Sequence, residues 1–283
     1  YWTISAELMA ATIFTAKLSK LNGEPLKKFT LSSQSMVEEI TKKIESASTE
    51  GLLTNSIEKK KIKRSPKSPL RTSVLQQHAA NNLGLTPNGT MQIAQSLYAR
   101  EGGGLITYIR TDSIEIDEGK LPSIRKKVVV LYGEEYLESR KFKNKKESKN
   151  IQEAHGAITP VDISVLPSDT KKLLNDDEQK IYRLIWERTI ASQMKDAVFE
   201  RTSVEFVPKK DRSLATFVFS DQQLIFPGYL SATNEEVTDN PPPNIKEESL
   251  VDLKNINKDQ HFTDPPPRYN DASMIKTLEE KGI

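Results

Sequence analysis

The sequence predicts a multi-domain chain of α and β structure. A β-rich domain at residues 1–65 and 196–283 carries a mainly α-helical domain, 66–195, inserted through its loops. Three observations predict it. Apolar and polar residues alternate near both ends, the period of half-buried strands, while the middle repeats apolar residues at helical spacing. A length of 283 residues favours two domains. The stretch 59–67 is basic and broken by Pro66, which suits a junction.

Each element follows from local chemistry. Trp2 to Leu8 alternates as a strand does, and 11–18 is a second β-type run. Asn22-Gly23 signals a tight turn. Ser32, Ser33 and Ser35 offer an N-cap to a helix with Met36, Val37, Ile40 and Ile44 on one face, and 52–62 reads as another strand. Thr72 or Ser73 can cap a helix carrying Val74, Leu75, His78 and Leu83, which Gly84 stops. Pro87 starts the next, through Met91, Ile93, Ala94, Leu97 and Tyr98. With Leu85-Thr86 between them, the two resemble a helix-turn-helix, a pair found in DNA readers and in plain bundles. A basic helix is expected at 122–132 and a long one at 176–194. Asp176, Asp177 and Glu178 fall in the first turn of the latter, where carboxylates suit the helix dipole, so they read as capping charges and not as metal ligands. Strands are expected at 201–207, 214–220 and 223–226, loops at the two triple prolines 241–243 and 265–267, and a final helix from Asp271 with Ile275 and Leu278 on one face.

Composition narrows the function classes. Hydrophobic residues make up 36% and charged ones 28%, and no run of 18 apolar residues occurs, so neither a spanning helix nor a membrane partner is expected. The absence of cysteine removes disulfides, thiolate nucleophiles and zinc-thiolate sites. The chain starts at Tyr1-Trp2 and stops at Gly282-Ile283, which reads as a fragment of something longer. Net charge is +2, but 120–150 carries ten Lys and Arg against four Glu, and 230–283 six against eleven Asp and Glu. The basic middle suits either a polyanion or an ordinary solvated face.

The stretch with most chemistry is Gly102 to Ser113: a glycine run, a β-type run, Tyr108 and Arg110, then Thr111, Asp112 and Ser113. Two readings stand on the residues alone. Tyr108 fills a core on an edge strand while Arg110 pairs with a carboxylate. Alternatively, Tyr108 and Arg110 share a face of an extended segment at a cleft. Phenol, with a free pKa of about 10, is a poor nucleophile until positive charge stabilises phenolate and pentavalent phosphate. A guanidinium fork supplies that charge. His155 could move a proton at the leaving oxygen or be a structural histidine, and His78 and His261 read as structural.

Leu97-Tyr98 and Leu105 to Ser113 resemble the active-site segment of bacterial type IA DNA topoisomerases. Four further stretches match that family in order: Pro69 to Gln77, Gln152 to Pro160, Leu184-Ile185-Trp186 with Ala191 to Met194, and Pro266 to Ser273. The resemblance implies a β-rich arch bearing the tyrosine-carrying helical domain. It implies that Tyr108 attacks a single-strand DNA phosphodiester and holds the 5′-phosphate, that Arg110 stabilises the scissile phosphate, and that His155 serves the leaving oxygen or a neighbouring phosphate. Strand passage and religation would follow without ATP and relax negatively supercoiled DNA. Thr107, Thr111, Asp112 and Ser113 would frame the turn and, with Arg71, Ser73 and Gln76, contact DNA. The implied setting is the cytoplasm, on the bacterial nucleoid, with the protein acting as a monomer.

Three positions depart from the family pattern: Gly156 in place of glutamate, Thr159 in place of arginine, and Ile109 in place of methionine. Family members bind Mg2+ through an N-terminal acidic domain with an Asp-x-Asp-type motif; none occurs here, so no bound metal is expected in this chain and the fragment alone is expected not to relax DNA. Two rivals remain. Tyrosine recombinases and type IB enzymes place their tyrosine after the histidine, whereas Tyr108 precedes His155. A non-catalytic single-stranded nucleic-acid-binding arch would use Tyr108 only for stacking.

Overall fold

The computed structural model describes residues 1–144, 155–237 and 243–282. The chain forms two compact units. The first comprises Tyr1–Lys63, Val198–Phe226 and Val237–Pro266, and the second Arg64–Ala197, Pro227–Glu236 and Pro267–Ile283.

The first unit is a sheet that closes on itself. Strands β1 (Trp2–Met9), β2 (Ile13–Leu21), β3 (Glu24–Pro25), β4 (Leu52–Arg64), β5 (Ala197–Pro208), β6 (Ala215–Phe226) and β7 (Leu250–Gln260) run in the order β1-β7-β4-β5-β6-β2-β3. A further antiparallel pairing of β1 with β2, Ser5 opposite Lys17, completes the ring. Period-two alternation drives it: Ile4, Ala6 and Leu8 of β1 and Phe14, Ala16 and Leu18 of β2 are buried between more exposed neighbours. They meet Val204, Phe206, Phe217, Val251 and Ile256, together with Val37 and Ile44 of α1 (Gln34–Ala47). Each of the larger side chains contributes about 1.5–3 kcal/mol by leaving water. Asn22 and Gly23, with φ of 48° and 82°, make the tight turn between β2 and β3. Ser33 caps α1, its hydroxyl accepting from Met36 N.

Strand β7 is not among the strands expected from the sequence. Its alternation is broken: pairing with β1 slips between Glu7 and Leu8, so the buried positions run Val251, half-buried Leu253, then Ile256. That bulge hides the period. Another departure is that 214–220 and 223–226 form one strand, β6, the polar Ser220-Asp221-Gln222 staying in register with Ser203, Thr202 and Arg201 of β5.

The second unit is built on α5 (Asp176–Ala191), where Ile181, Tyr182, Leu184, Ile185, Trp186 and Ile190 are all buried. Burial on most faces marks a central helix. Asn175 and Glu178 form a reciprocal capping box. Glu178 Oε1 also accepts from Ser96 at 2.6 Å, so the acidic first turn is a structural device. Tyr182 donates to Val165 O at 2.9 Å and Trp186 Nε1 to Ile163 O at 3.2 Å; burial pushes the Tyr182 hydroxyl up to about 12. Helices α2 (Thr72–Leu83) and α3 (Pro87–Tyr98) are joined by Gly84, left-handed at φ 67°, and by Thr86, which caps α3. Helices α4 (Leu121–Tyr132) and α6 (Asp271–Glu280) complete the unit.

The unit boundaries correct the expectation that all of 196–283 belongs to the β-rich domain. Tyr229 and Leu230 are buried in the helical unit, Tyr229 N donating to Lys195 O at 3.0 Å, and α6 packs on α2. The helix expected at 176–194 ends at Ala191, because Met194 forms a bridge with Leu137.

Candidate active site

Residues 105–113 form no regular strand, in contrast to the β-type run expected there. One bridge, Ile106 to Pro160, anchors the segment. Side-chain hydroxyls do the rest. Thr107 Oγ1 donates to Ala157 O at 3.0 Å and accepts from Thr159 N at 2.9 Å. Thr111 Oγ1 donates to His155 O at 3.2 Å. Thr72 Oγ1, on the first turn of α2, donates to Ile109 O at 2.7 Å and accepts from Thr111 N at 2.9 Å. This corrects the expected N-cap. Position N-cap is Arg71 and makes no side-chain cap bond, and the Thr72 hydroxyl is diverted to the Tyr108 segment. Buried backbone groups need such partners, so the hydroxyls specify the loop's path.

Burial alternates along the resulting path, which bends at Ile109. Ile109, Thr111 and Ser113 are buried, Arg110 and Asp112 are exposed, and Tyr108 is half-buried. The Tyr108 ring lies between two others. Its centroid is 4.5 Å from exposed His155, tilted by 44°, and 5.6 Å from Tyr98, edge-on at 71°. Arg110 and Asp112 make no salt bridge among the described residues. A phenol held by two rings beside an exposed guanidinium has the components for attack on a phosphodiester.

Two glycines are required by close approach. A Cβ on Gly104 would collide with Tyr98 O, and one on Gly156 would lie 2.9 Å from Glu115 O. The second contact is a physical reason why Gly156 stands beside His155. Thr159 is buried, leaving no room for the exposed charge of an arginine.

Other expected contacts are spent elsewhere. Thr111 and Ser113 are buried; Ser113 Oγ accepts from Glu115 N at 3.1 Å and Asn144 Nδ2 at 3.2 Å, so these two shape the turn. Gln76 donates to Pro87 O at 3.5 Å, bracing the α2–α3 turn. Arg71 and Ser73 meet Glu279 of α6: Arg71 Nη2 is 2.6 Å from Glu279 Oε1, Ser73 Oγ donates to the same oxygen at 2.7 Å, and Gln77 Nε2 reaches Oε2 at 3.4 Å. A carboxylate thus sits where Arg71 could hold a phosphate. Glu279, Thr72 and Asn144 were absent from the sequence-based set. Tyr98 was visible in its motif but without a role.

In the basic stretch, Arg125 donates to Gln193, Arg140 pairs with Asp196, Lys141 with Glu118, and Lys120 donates to Pro160 O. Lys145, Lys146 and Lys149 lie outside the described residues, as do Gln152 to Ala154 of the His155 match and prolines 241–242. Among the described residues no three His, Asp or Glu side chains converge to hold a metal ion. No described helix is long and apolar enough to cross a membrane.

Comparison with known proteins places the chain in a family. The "DNA topoisomerase 1" of Rickettsia bellii is 38% identical over 296 residues, covering 100% of this chain and 36% of that protein. The protein of the same name from Zymomonas mobilis is 35% identical over 295 residues, of which the chain covers 23%. The structure of full-length topoisomerase I from Thermotoga maritima superposes with a TM-score of 0.75 at 29% identity, covering 99% of this chain and 43% of that one. The chain therefore spans well under half the length of these relatives. A family model described as DNA topoisomerase matches residues 1–283, and the chain belongs to the bacterial type IA DNA topoisomerase family.

Proposed function

We propose that this chain is the tyrosine-bearing part of an enzyme that relaxes negatively supercoiled DNA by transient single-strand cleavage. The supporting observation is the half-exposed Tyr108 phenol, ring-packed by His155 and Tyr98, on a loop that also exposes Arg110. In the step proposed, Tyr108 Oη attacks the phosphorus of a single-strand phosphodiester and loses its proton. The P–O3′ bond breaks, the 5′-phosphate stays on Tyr108, and the 3′ oxygen takes a proton. Arg110 neutralises the non-bridging oxygens, where two parallel N–H donors fit two oxygens. His155, exposed against the phenol face, transfers the proton at the departing oxygen or binds the adjacent phosphate. Religation reverses the step. Because one phosphoester replaces another, ATP is not consumed.

Magnesium, where the complete enzyme uses it, is assigned in this reading to an N-terminal acidic domain. By itself the 283-residue chain is expected not to relax DNA. A supercoil-relaxation gel with Mg2+ tests this; relaxation by the isolated chain refutes it. Covalent capture of a single strand, after complementation with the N-terminal part of a full-length relative, tests the nucleophile. An adduct with Tyr108 and none with Tyr108→Phe supports it. An adduct that survives Tyr108→Phe overturns it.

A further inference from the structure

The helical unit holds a cavity of about 830 Å3 that the proposed cleavage chemistry does not use. Its size is that of sites for small organic ligands. Helix α5 lines it with Gln179, Arg183, Glu187 and Arg188, α2 with His78, and the segment after residues 228–232 with Asn234. Spacings of four residues place Gln179, Arg183 and Glu187 on one face of α5. Leu174 and Leu184 supply apolar wall.

Three side chains there keep hydrogen-bonding capacity that internal partners do not use up. Gln179 donates through Nε2 to Thr170 Oγ1 at 2.8 Å, while its Oε1 is buried and accepts nothing. Exchanging the amide's O and N would leave a donor unpaired instead. Arg183 is exposed and makes no salt bridge among the described residues. Arg188 also makes none; its guanidinium donates to Ser68 O at 3.3 Å and to Nδ1 of His78 at 3.4 Å. Because Arg188 is always a donor, Nδ1 of His78 accepts and the ring is neutral, consistent with burial pulling its pKa down to about 4. A buried amide oxygen without a donor costs free energy until a partner arrives. Glu187 and Glu235 also line the cavity and act on Arg183 and Arg188 through charge without closing a salt bridge, so both guanidiniums keep N–H donors for an oxyanion.

We propose that this cavity binds a nucleoside monophosphate unit, its phosphate against Arg183 and Arg188 and an N–H of its base edge on Gln179. The amide is a side chain that pairs readily with base edges, and the leucine wall suits a ring. Glu187, lifted by burial to about 7, carries little charge against that phosphate below neutrality. The unit is either a free nucleotide or one residue of a single strand. The proposal does not depend on Tyr108.

Isothermal titration of the whole chain tests it, with thymidine monophosphate, thymidine, inorganic phosphate and a 5′-phosphorylated tetranucleotide as separate probes. The expected result is that the monophosphate binds about tenfold or more tighter than thymidine or phosphate. Arg183→Gln and Gln179→Leu should each weaken it severalfold; Arg183 is exposed, so its variant should fold. Equal sensitivity of the tetranucleotide to Arg183→Gln assigns a strand; binding of the monophosphate alone assigns a free nucleotide. Phosphate binding as tightly as the monophosphate, no saturable binding at millimolar concentration, or affinity unchanged in both variants overturns the proposal. None of these outcomes bears on covalent capture by Tyr108.

Discussion

The imidazole of His155 packs against the phenol of Tyr108, ring centroids 4.5 Å apart, although 47 positions separate them in the chain. The contact is made by backbone. Thr111 Oγ1 donates to His155 O, and Ala157 N donates to Glu115 O at 2.7 Å, so the two segments are laced together on either side of the rings. If Tyr108 is the nucleophile, His155→Ala leaves the phenol in place and removes the group serving the departing oxygen. Single-turnover cleavage should fall by about 10²–10⁴-fold, with single-strand affinity changed far less. Equal losses in rate and affinity would assign His155 to binding alone.

Thr72 is the hinge of that arrangement. Thr72→Val keeps the shape and deletes the hydroxyl that serves Ile109 O and Thr111 N. Orphaning these backbone groups should cost about 1–3 kcal/mol, read from urea unfolding. Covalent capture should drop although Tyr108 is untouched. Unchanged stability would mean that water replaces the hydroxyl.

Gly104 fixes the approach of the loop to the end of α3. Gly104→Ala drives a Cβ into Tyr98 O, and backbone must move. A loss of about 2–4 kcal/mol is expected, with a change in near-ultraviolet circular dichroism as the Tyr98–Tyr108 edge contact opens. Gly102→Ala meets open space at φ 86° and should cost only about 1–2 kcal/mol.

Glu279 occupies the anion position of Arg71 and Ser73. The pair is about one-third exposed on both sides, so Glu279→Gln should change stability by less than about 1 kcal/mol. If Arg71 meets a DNA phosphate, the same variant should tighten single-strand binding severalfold at low salt and steepen its salt dependence. Weaker binding in Glu279→Gln would show that the carboxylate organises the site and does not compete for it.

Stability should also report Glu187. Burial, partly offset by Arg183, raises its pKa to about 7 from 4.5. The folded state then holds a proton that the unfolded state has released, so its contribution is full below about 4.5 and is lost as pH rises to about 7. His78 acts oppositely: its pKa falls to about 4, so its contribution is present above about 6.5 and lost as pH drops through 4. Glu187→Gln should therefore match the parent near pH 4.5 and exceed it at pH 8 by about 1 kcal/mol, since partial exposure reduces the full linkage value. Melting curves at the two pH values check this.

Most of the fold was legible because its driving pattern is local. The alternation in β1, the β-type run that became β2, the Asn22-Gly23 turn, the Gly84 stop and the Pro87 start each read correctly from neighbouring residues. Strand β7 did not, since the slip opposite Glu7 and Leu8 breaks its alternation and only a partner strand reveals it. The same divide runs through the candidate site. Tyr108, Arg110 and His155 are legible from motifs. The clasp of Thr72 on Ile109 and the seat of Glu279 on Arg71 are not, because hydrogen bonds between residues 37 and 208 positions apart leave no periodic trace.

The most direct measurement is the chemistry of the trapped adduct. After complementation with the N-terminal part of a full-length relative, a single strand labelled at either end is cleaved, denatured and digested for peptide mass spectrometry. A DNA fragment joined through its 5′-phosphate to the peptide bearing Tyr108 is the predicted product. Attachment through a 3′-phosphate, or to any other side chain, would contradict the proposed role of Tyr108.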